Sequence, residues 1–240
     1  MANKQTVIVT GGSQGIGAAI VHEFLDRGYN VVATSLKFTN SGFDPSPNLA
    51  LVEGDIGLAT TAEKVTQTAI ERFGSIDHLV NNAGIFSAKP FTDYTIGDFR
   101  KFVSTNLEGF ILVTQPAVKK MLSQGKGGSV TTITAALADN PLVGSPASVA
   151  MITKGGLNAI TISLANEYAK DKIRFNAVAP GVVDTPLHKN LKKDAPNPRS
   201  PMGTFSKATD IADAVVYLTE AGHVTGEVLH VDDGAHVGQW

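Results

Sequence analysis

The chain has 240 residues, a formal charge of −2, no cysteine, and 42 % hydrophobic residues. This length suits one large α/β domain with a sizeable core, the balanced charge offers no basic footprint for nucleic acid, and no apolar run is long enough to span a bilayer. The lack of cysteine excludes disulfides, thiolate catalysis and cysteine-based zinc sites, and Met1 to Lys4 leaves no room for a signal peptide before the first strand, so the expected location is cytoplasmic.

Val7 to Thr10 reads as a buried strand that runs into Gly11-Gly12-Ser13-Gln14-Gly15-Ile16-Gly17. A helix follows, with Ala18, Ala19, Ile20, Val21, Phe24 and Leu25 at helical period, and Gly28 stops it. The spacing G-x-x-x-G-x-G is a variant of the dinucleotide fingerprint: Gly11 makes the tight turn, Gly15 lets backbone approach a pyrophosphate, and Gly17 lets helix pack on strand. The helix N-terminus then supplies free N–H groups for phosphate. A plain glycine-rich connection has the same local pattern, so the rest of the chain must decide.

Tyr29 to Thr34 is a second strand, closed by Ser35-Leu36-Lys37 where such folds face the adenosine ribose. An acidic side chain there would take the 2′-hydroxyl of NAD. Ser35 with Lys37 instead favours NADP over NAD, the alternative being that Lys37 is a solvated loop charge. Thr39 to Asn48 is a surface loop, Leu49 to Glu53 a third strand, and Asp55-Ile56 its end. Asp55 either accepts from an adenine amino group, with Ile56 on the ring, or caps a helix over Thr61 to Phe73. Asp77 to Val80 is a fourth strand running into Asn81-Asn82-Ala83-Gly84, where amide side chains tie strand ends together and small residues let backbone lie against a cofactor.

Tyr94 to Val118 reads as one long helix with Asn106 amid its apolar face, either a satisfied core amide or part of a site. Ser129 to Thr134 is a fifth strand, followed by an irregular stretch to Ser148, a helix from Lys154 to Ala169, and a sixth strand from Lys172 to Val178 that ends in Ala179-Pro180-Gly181. Residues 185–205, with Lys189, Lys192, Lys193 and Arg199, are too long for an ordinary connection and suggest a lid whose charges either attract an anionic substrate or are merely solvated. Asp210 caps a last helix to Leu218, and Gly226 to Val231 is a final strand before Asp232-Asp233, a polar turn or, alternatively, a cation site. The six histidines are scattered without a zinc-binding spacing on a helix. Strands alternate with helices throughout, which predicts a single Rossmann-type, doubly wound parallel sheet of about seven strands with helices on both faces, formed by one domain over residues 1–240.

Thr10 to Gly17, Asp55-Ile56, Asn81 to Gly84, Asn106 in Ser-Thr-Asn-Leu-Glu-Gly, Lys154 to Ala159, Asn176 to Gly181 and Thr185 occur in this order over nearly the whole chain. Together they resemble the short-chain dehydrogenase/reductase family, closest to the single-domain members of the 3-oxoacyl carrier-protein reductase type. The resemblance implies oxidation of an alcohol or reduction of a carbonyl, a homotetramer or homodimer, and a nicotinamide dinucleotide over the strand ends. It implies cofactor contacts from Gly11, Ser13, Gln14, Gly15, Ile16, Gly17, Ser35, Lys37, Asp55, Ile56, Asn82, Ala83, Gly84, Lys154, Pro180 and Gly181, with Val183 and Thr185 serving the nicotinamide carboxamide.

Family chemistry pairs a Tyr-x-x-x-Lys with a serine at the preceding strand end and a helix asparagine that supports a water relay. Here Lys154 and Asn106 match, but Ala150 stands at the tyrosine position and Ala135 at the serine position, with Ala136 beside it. Alanine cannot transfer a proton, and a positioned acid or base contributes about 10²–10⁴ in rate. Substitute donors are Thr134, Ser145, Ser148, or a water held by Asn106 and Lys154. Three readings follow: an NADP(H)-dependent oxidoreductase acting on a small molecule with an impaired or non-standard proton-transfer site, a catalytically silent dinucleotide-binding regulator or redox sensor, and an engineered knockout.

Overall fold

The computed structural model describes residues 4–39, 41–142, 144–188 and 196–237. Seven parallel strands form one sheet in the order β3-β2-β1-β4-β5-β6-β9: β1 (Thr6–Thr10), β2 (Asn30–Ser35), β3 (Leu49–Glu53), β4 (His78–Asn81), β5 (Gly128–Ile133), β6 (Ile173–Pro180) and β9 (Val228–Val231). Two short strands, β7 (Val183–Asp184) and β8 (Ser206–Lys207), pair separately above it.

The strands are apolar on both faces because both faces are covered. Along β1, Val7 and Val9 point to one side, with Ile20, Val21 and Phe24 of α1 (Gly15–Asp26) and Ile211 and Val215 of α6 (Ala208–Glu220). Ile8 points to the other, with Val65 and Ala69 of α2 (Ala59–Phe73), Val113 and Ala117 of α4 (Gly109–Gln124) and Ala165 of α5 (Ser148–Glu167). This period of two is what divides one strand between two cores.

The predicted strands agree with the structure to within two residues, and Gly28 with φ +83 follows the end of α1 as expected. The helices differ more. The segment expected as one helix from Tyr94 is α3 (Ile96–Phe102), a π-helical segment over Val103–Glu108, and α4, which runs to Gln124. The wider π turn carries Asn106. Helix α5 starts at Ser148 rather than Lys154, because Val149, Ala150 and Thr153 extend its buried face toward the N-terminus. Asp210 does not occupy the cap position of α6 but sits in its first turn, accepting from Lys207 N–H at 2.7 Å.

Of the predicted lid, Lys189, Lys192 and Lys193 lie outside the described residues. Its returning limb is tied to Asp233, whose carboxylate accepts from Thr204 Oγ1 at 3.0 Å and Ser206 Oγ at 2.9 Å. No described helix is long and apolar enough to cross a membrane.

Phe24 is fully buried between α1 and the sheet, with its ring edge-on to Tyr29 at 5.1 Å. Phe24→Ala is expected to lower unfolding free energy by about 3–5 kcal/mol, read as a lower urea midpoint at unchanged slope.

Candidate functional site

The carboxyl ends of the strands open into a cavity of about 700 Å³ where the strand order reverses between β1 and β4, the place at which open α/β sheets leave a crevice. Thr10 ends β1 there. Its hydroxyl accepts from Asn82 N–H and Ala83 N–H, each at 3.0 Å, while the Asn82 amide donates to the Thr10 carbonyl at 2.9 Å and the Gly11 carbonyl at 3.0 Å. This clasp ties the end of β4 to the glycine turn, as the paired asparagines predicted. Asn81 instead donates to Thr114 Oγ1 on α4 at 2.9 Å.

Gly11 has φ +69, and a Cβ on it would lie 2.8 Å from Ala83 Cα. A Cβ on Gly17 would drive into the Gly11 carbonyl and the Asn82 amide. Both positions therefore require glycine. Ser13, Gln14, Gly15 and Ile16 line the crevice between them, and Gln14 precedes α1 without giving it a side-chain cap. The first turn of α1 thus meets the crevice with its own N–H groups and positive dipole end.

At one end of the crevice the Ser13 and Ser35 hydroxyls are 2.8 Å apart. Leu36 lines the wall, and the next residue, Lys37, is exposed. Asp55 and Ile56 also line this end. Asp55 Oδ1 accepts from Gly57 N–H at 2.9 Å, and Leu58 rather than Asp55 is the cap residue of α2, so the helix-cap alternative is set aside. Ile56 is buried beneath the wall beside Gly109.

In the middle, Ala83, Gly84, Lys154, Pro180, Gly181, Val183 and Thr185 converge on the same cavity. Lys154 is buried, and its ammonium donates to the Ile133 carbonyl at 2.8 Å. Burial holds its pKa down to about 8. Asn106 is not on the cavity wall. Its Oδ1 accepts from Ile85 N–H at 2.9 Å, and its Nδ2 donates to the Ile85 carbonyl at 3.1 Å and to Thr153 Oγ1 at 2.9 Å. Both amide hydrogens are thereby committed, and Asn106 fixes the segment after Gly84 from below.

Ala135 and Ala136 line the cavity, whereas Ala150 does not. Ala150 is buried in an apolar cluster with Phe102 and Val149, and Phe86 packs against that cluster while also lining the crevice. Of the substitute hydroxyls, Thr134 and Ser145 line the cavity, and Thr134 Oγ1 donates to the Val178 carbonyl at 3.3 Å. Ser148 is exposed at the start of α5 and outside the cavity.

Several lining residues carry no motif. Phe86, Leu137, Leu142, Pro146 and Leu187 make an apolar wall, with His188 and Arg199 at the same end. The turn after β9 is a polar turn: Asp232 accepts from Gly234 N–H at 3.1 Å, His236 N–H at 2.7 Å and His236 Nδ1 at 2.9 Å. His236 stacks on His230 at 4.2 Å, and Asp139 lies 3.4 Å from His230. Sequence spacing held no signal for that grouping. No cluster able to hold a metal ion occurs among the described residues.

The family model described as enoyl-(acyl carrier protein) reductase matches residues 11–236. A tropinone reductase homologue of Arabidopsis thaliana is 35% identical over 97% of this chain and 91% of its own. Among solved structures, 3-ketoacyl-(acyl-carrier-protein) reductase of Brucella melitensis complexed with NADH is 26% identical, with a TM-score of 0.87 over 97% of this chain and 98% of its own. ElxO with NADP bound is 28% identical, with a TM-score of 0.89 over 98% and 100%.

The depressed pKa of Lys154 makes a stability prediction. Its folded value, about 8, lies below the unfolded value of about 10.4, so between these the unfolded chain binds more protons and stability rises with pH. Relative to Lys154→Met, the wild type is expected to gain stability from pH 8 to pH 10, seen as a diverging difference in denaturation midpoints. Parallel midpoints across that window would contradict it.

Proposed function

The chain belongs to the short-chain dehydrogenase/reductase family, and from that premise we propose that it is an NAD(P)(H)-dependent oxidoreductase acting on a carbonyl or alcohol of a small molecule, with a proton-transfer site that departs from the family pattern. The observation that carries this reading is convergence: all but Lys37 of the residues expected to contact the cofactor line one crevice, with Lys154 buried in its floor. The residues also fit the group physically. Gly11 and Gly15 hold positive φ in the turn between β1 and α1, and the first turn of α1 has no side-chain cap to compete with a phosphate.

When bound, the reduced nicotinamide supplies the hydride. The chain's own part is placement: Thr10 and Asn82 fix the glycine turn, Asn106 fixes Ile85 behind Gly84, and Lys154 presents an ammonium beside Gly84 for a ribose hydroxyl. Val183 and Thr185 serve the carboxamide. At the adenosine end, Ser13 and Ser35 offer hydroxyls and no carboxylate, which favours a 2′-phosphate and hence NADP over NAD.

The departure lies at Ala135 and Ala150, which match the serine and tyrosine positions of the family resemblance. A silent dinucleotide-binding regulator is favoured by the burial of Ala150 against Phe102, away from the crevice. Turnover separates the two. Oxidation of NADPH in the presence of a ketone panel is expected, falling at least ~10²-fold in Lys154→Met; tight NADPH binding with no turnover of any carbonyl, enone or alcohol supports the regulator instead. The cofactor preference has its own check: Ser35→Asp is expected to weaken NADPH binding about tenfold or more, ~1.4 kcal/mol or above, and to leave NADH binding equal or better. Unchanged NADPH affinity would remove Ser35 from the adenosine site.

A further inference from the structure

Carbonyl reduction needs a proton as well as a hydride, and neither Ala135 nor Ala150 can give one. Among the described residues that line the crevice, five carry an ionisable side chain: Asp55, Lys154, His188, Arg199 and Asp232. Asp55 is engaged with Gly57 at the adenosine end. Asp232 is buried and accepts from Gly234 and His236. Arginine does not release its proton near neutrality. Lys154 donates to the Ile133 carbonyl and is assigned to the ribose in the reading above. His188 remains, and an imidazole can both give and take a proton.

The placement of His188 suits the task. It ends a short turn over Pro186–His188, just beyond Val183 and Thr185. Its Nδ1 lies 3.0 Å from the Val183 carbonyl. A carbonyl oxygen only accepts, so Nδ1 carries the hydrogen of that bond and Nε2 is the nitrogen left to give or take a proton. The ring is half-buried, and Nε2 has no hydrogen-bond partner among the described residues. It is thus pinned by one nitrogen to the strand end expected to hold the carboxamide, with the other available to the crevice.

We propose that His188 is the proton donor of this site, an inference that rests on the oxidoreductase reading above and names the group that reading leaves open. The carbonyl carbon receives a hydride, with its two electrons, from the reduced dinucleotide. The π pair of the carbonyl moves onto oxygen and takes the proton from Nε2 of the imidazolium, giving an alcohol, the oxidised dinucleotide and a neutral ring still donating from Nδ1 to Val183. The ring recovers its proton from water. In the alcohol-oxidising direction the neutral Nε2 accepts the hydroxyl proton. The other charged groups that line the crevice are Asp55, Lys154, Arg199 and Asp232.

Two measurements on the full-length protein test this. In protein carrying ¹⁵N-labelled histidine, His188 is expected to show the Nδ1–H tautomer when neutral and to shift on addition of NADP⁺; an Nε2–H tautomer, or no response to saturating NADP⁺, overturns the assignment. With a ketone that the wild type turns over, His188→Ala and His188→Gln are expected to lose about 10²–10⁴ in kcat while binding NADPH within twofold of the wild type. Added imidazole restores turnover to His188→Ala. Turnover that survives His188→Ala, with its alkaline limb near the Lys154 value of about 8, assigns the proton to Lys154 and overturns the proposal alone. No turnover by the wild type overturns the oxidoreductase reading and this proposal with it.

Discussion

The crevice depends on the clasp between Thr10 and Asn82. A parallel sheet whose chain order reverses between β1 and β4 leaves two strand ends with diverging connections, and nothing in the ladder holds those connections at a set distance. Thr10 Oγ1 and the Asn82 amide supply that distance, with four hydrogen bonds of 2.9 to 3.0 Å between the two ends. Each such bond contributes only about 1 kcal/mol net. Their effect is geometric: they hold Ala83 so close to Gly11 that no side chain fits between, and this absence forms the phosphate-facing surface. The glycines and the clasp act together, since Gly11 combines a left-handed φ of +69 with the close approach to Ala83 that the clasp maintains.

The same logic recurs one layer deeper. Asn106 pairs with both backbone groups of Ile85, as a neighbouring strand would, and continues β4 beyond its last ladder partner. The π turn that carries it is wider than an α turn, and its amide joins that loop to Thr153 of α5. Lys154 then meets Gly84 from the other side, where a Cβ would approach its ammonium to 3.3 Å. Three elements, β4, the π segment and α5, therefore converge on the small residues Ala83 and Gly84. Burial of an ammonium in that convergence costs free energy, and its hydrogen bond to the Ile133 carbonyl offsets part of the cost.

What was legible in the sequence was what is encoded by near neighbours. The glycine turn, Asn82, Asp55-Ile56 and Pro180-Gly181 are short motifs at strand ends, and strand ends are marked by apolar runs that stop. The alternation of Val7, Ile8 and Val9 between two cores follows from strand geometry alone. The start of α5 was missed because Val149 and Thr153 are β-branched and read weakly as helix, whereas their burial against Phe102 and the interior settles the conformation. His188, and the grouping of Asp139, His230, His236 and Asp232, depend on which loops fold over which strand ends, and no local spacing records that.

Ala150 is the point at which local pattern and tertiary packing part most clearly. Read along the helix, it is one turn before Lys154 and belongs to the chemistry. Read in space, it is a small residue under Phe102 and Val149, with Phe86 covering the cluster and presenting the aromatic surface to the crevice. Ala150 thus belongs to an apolar cluster of the interior, and the polar side chains of the crevice come from other segments. In one of them the chain turns from Val183 through Thr185 to His188 and presents a carbonyl-anchored imidazole to the cavity.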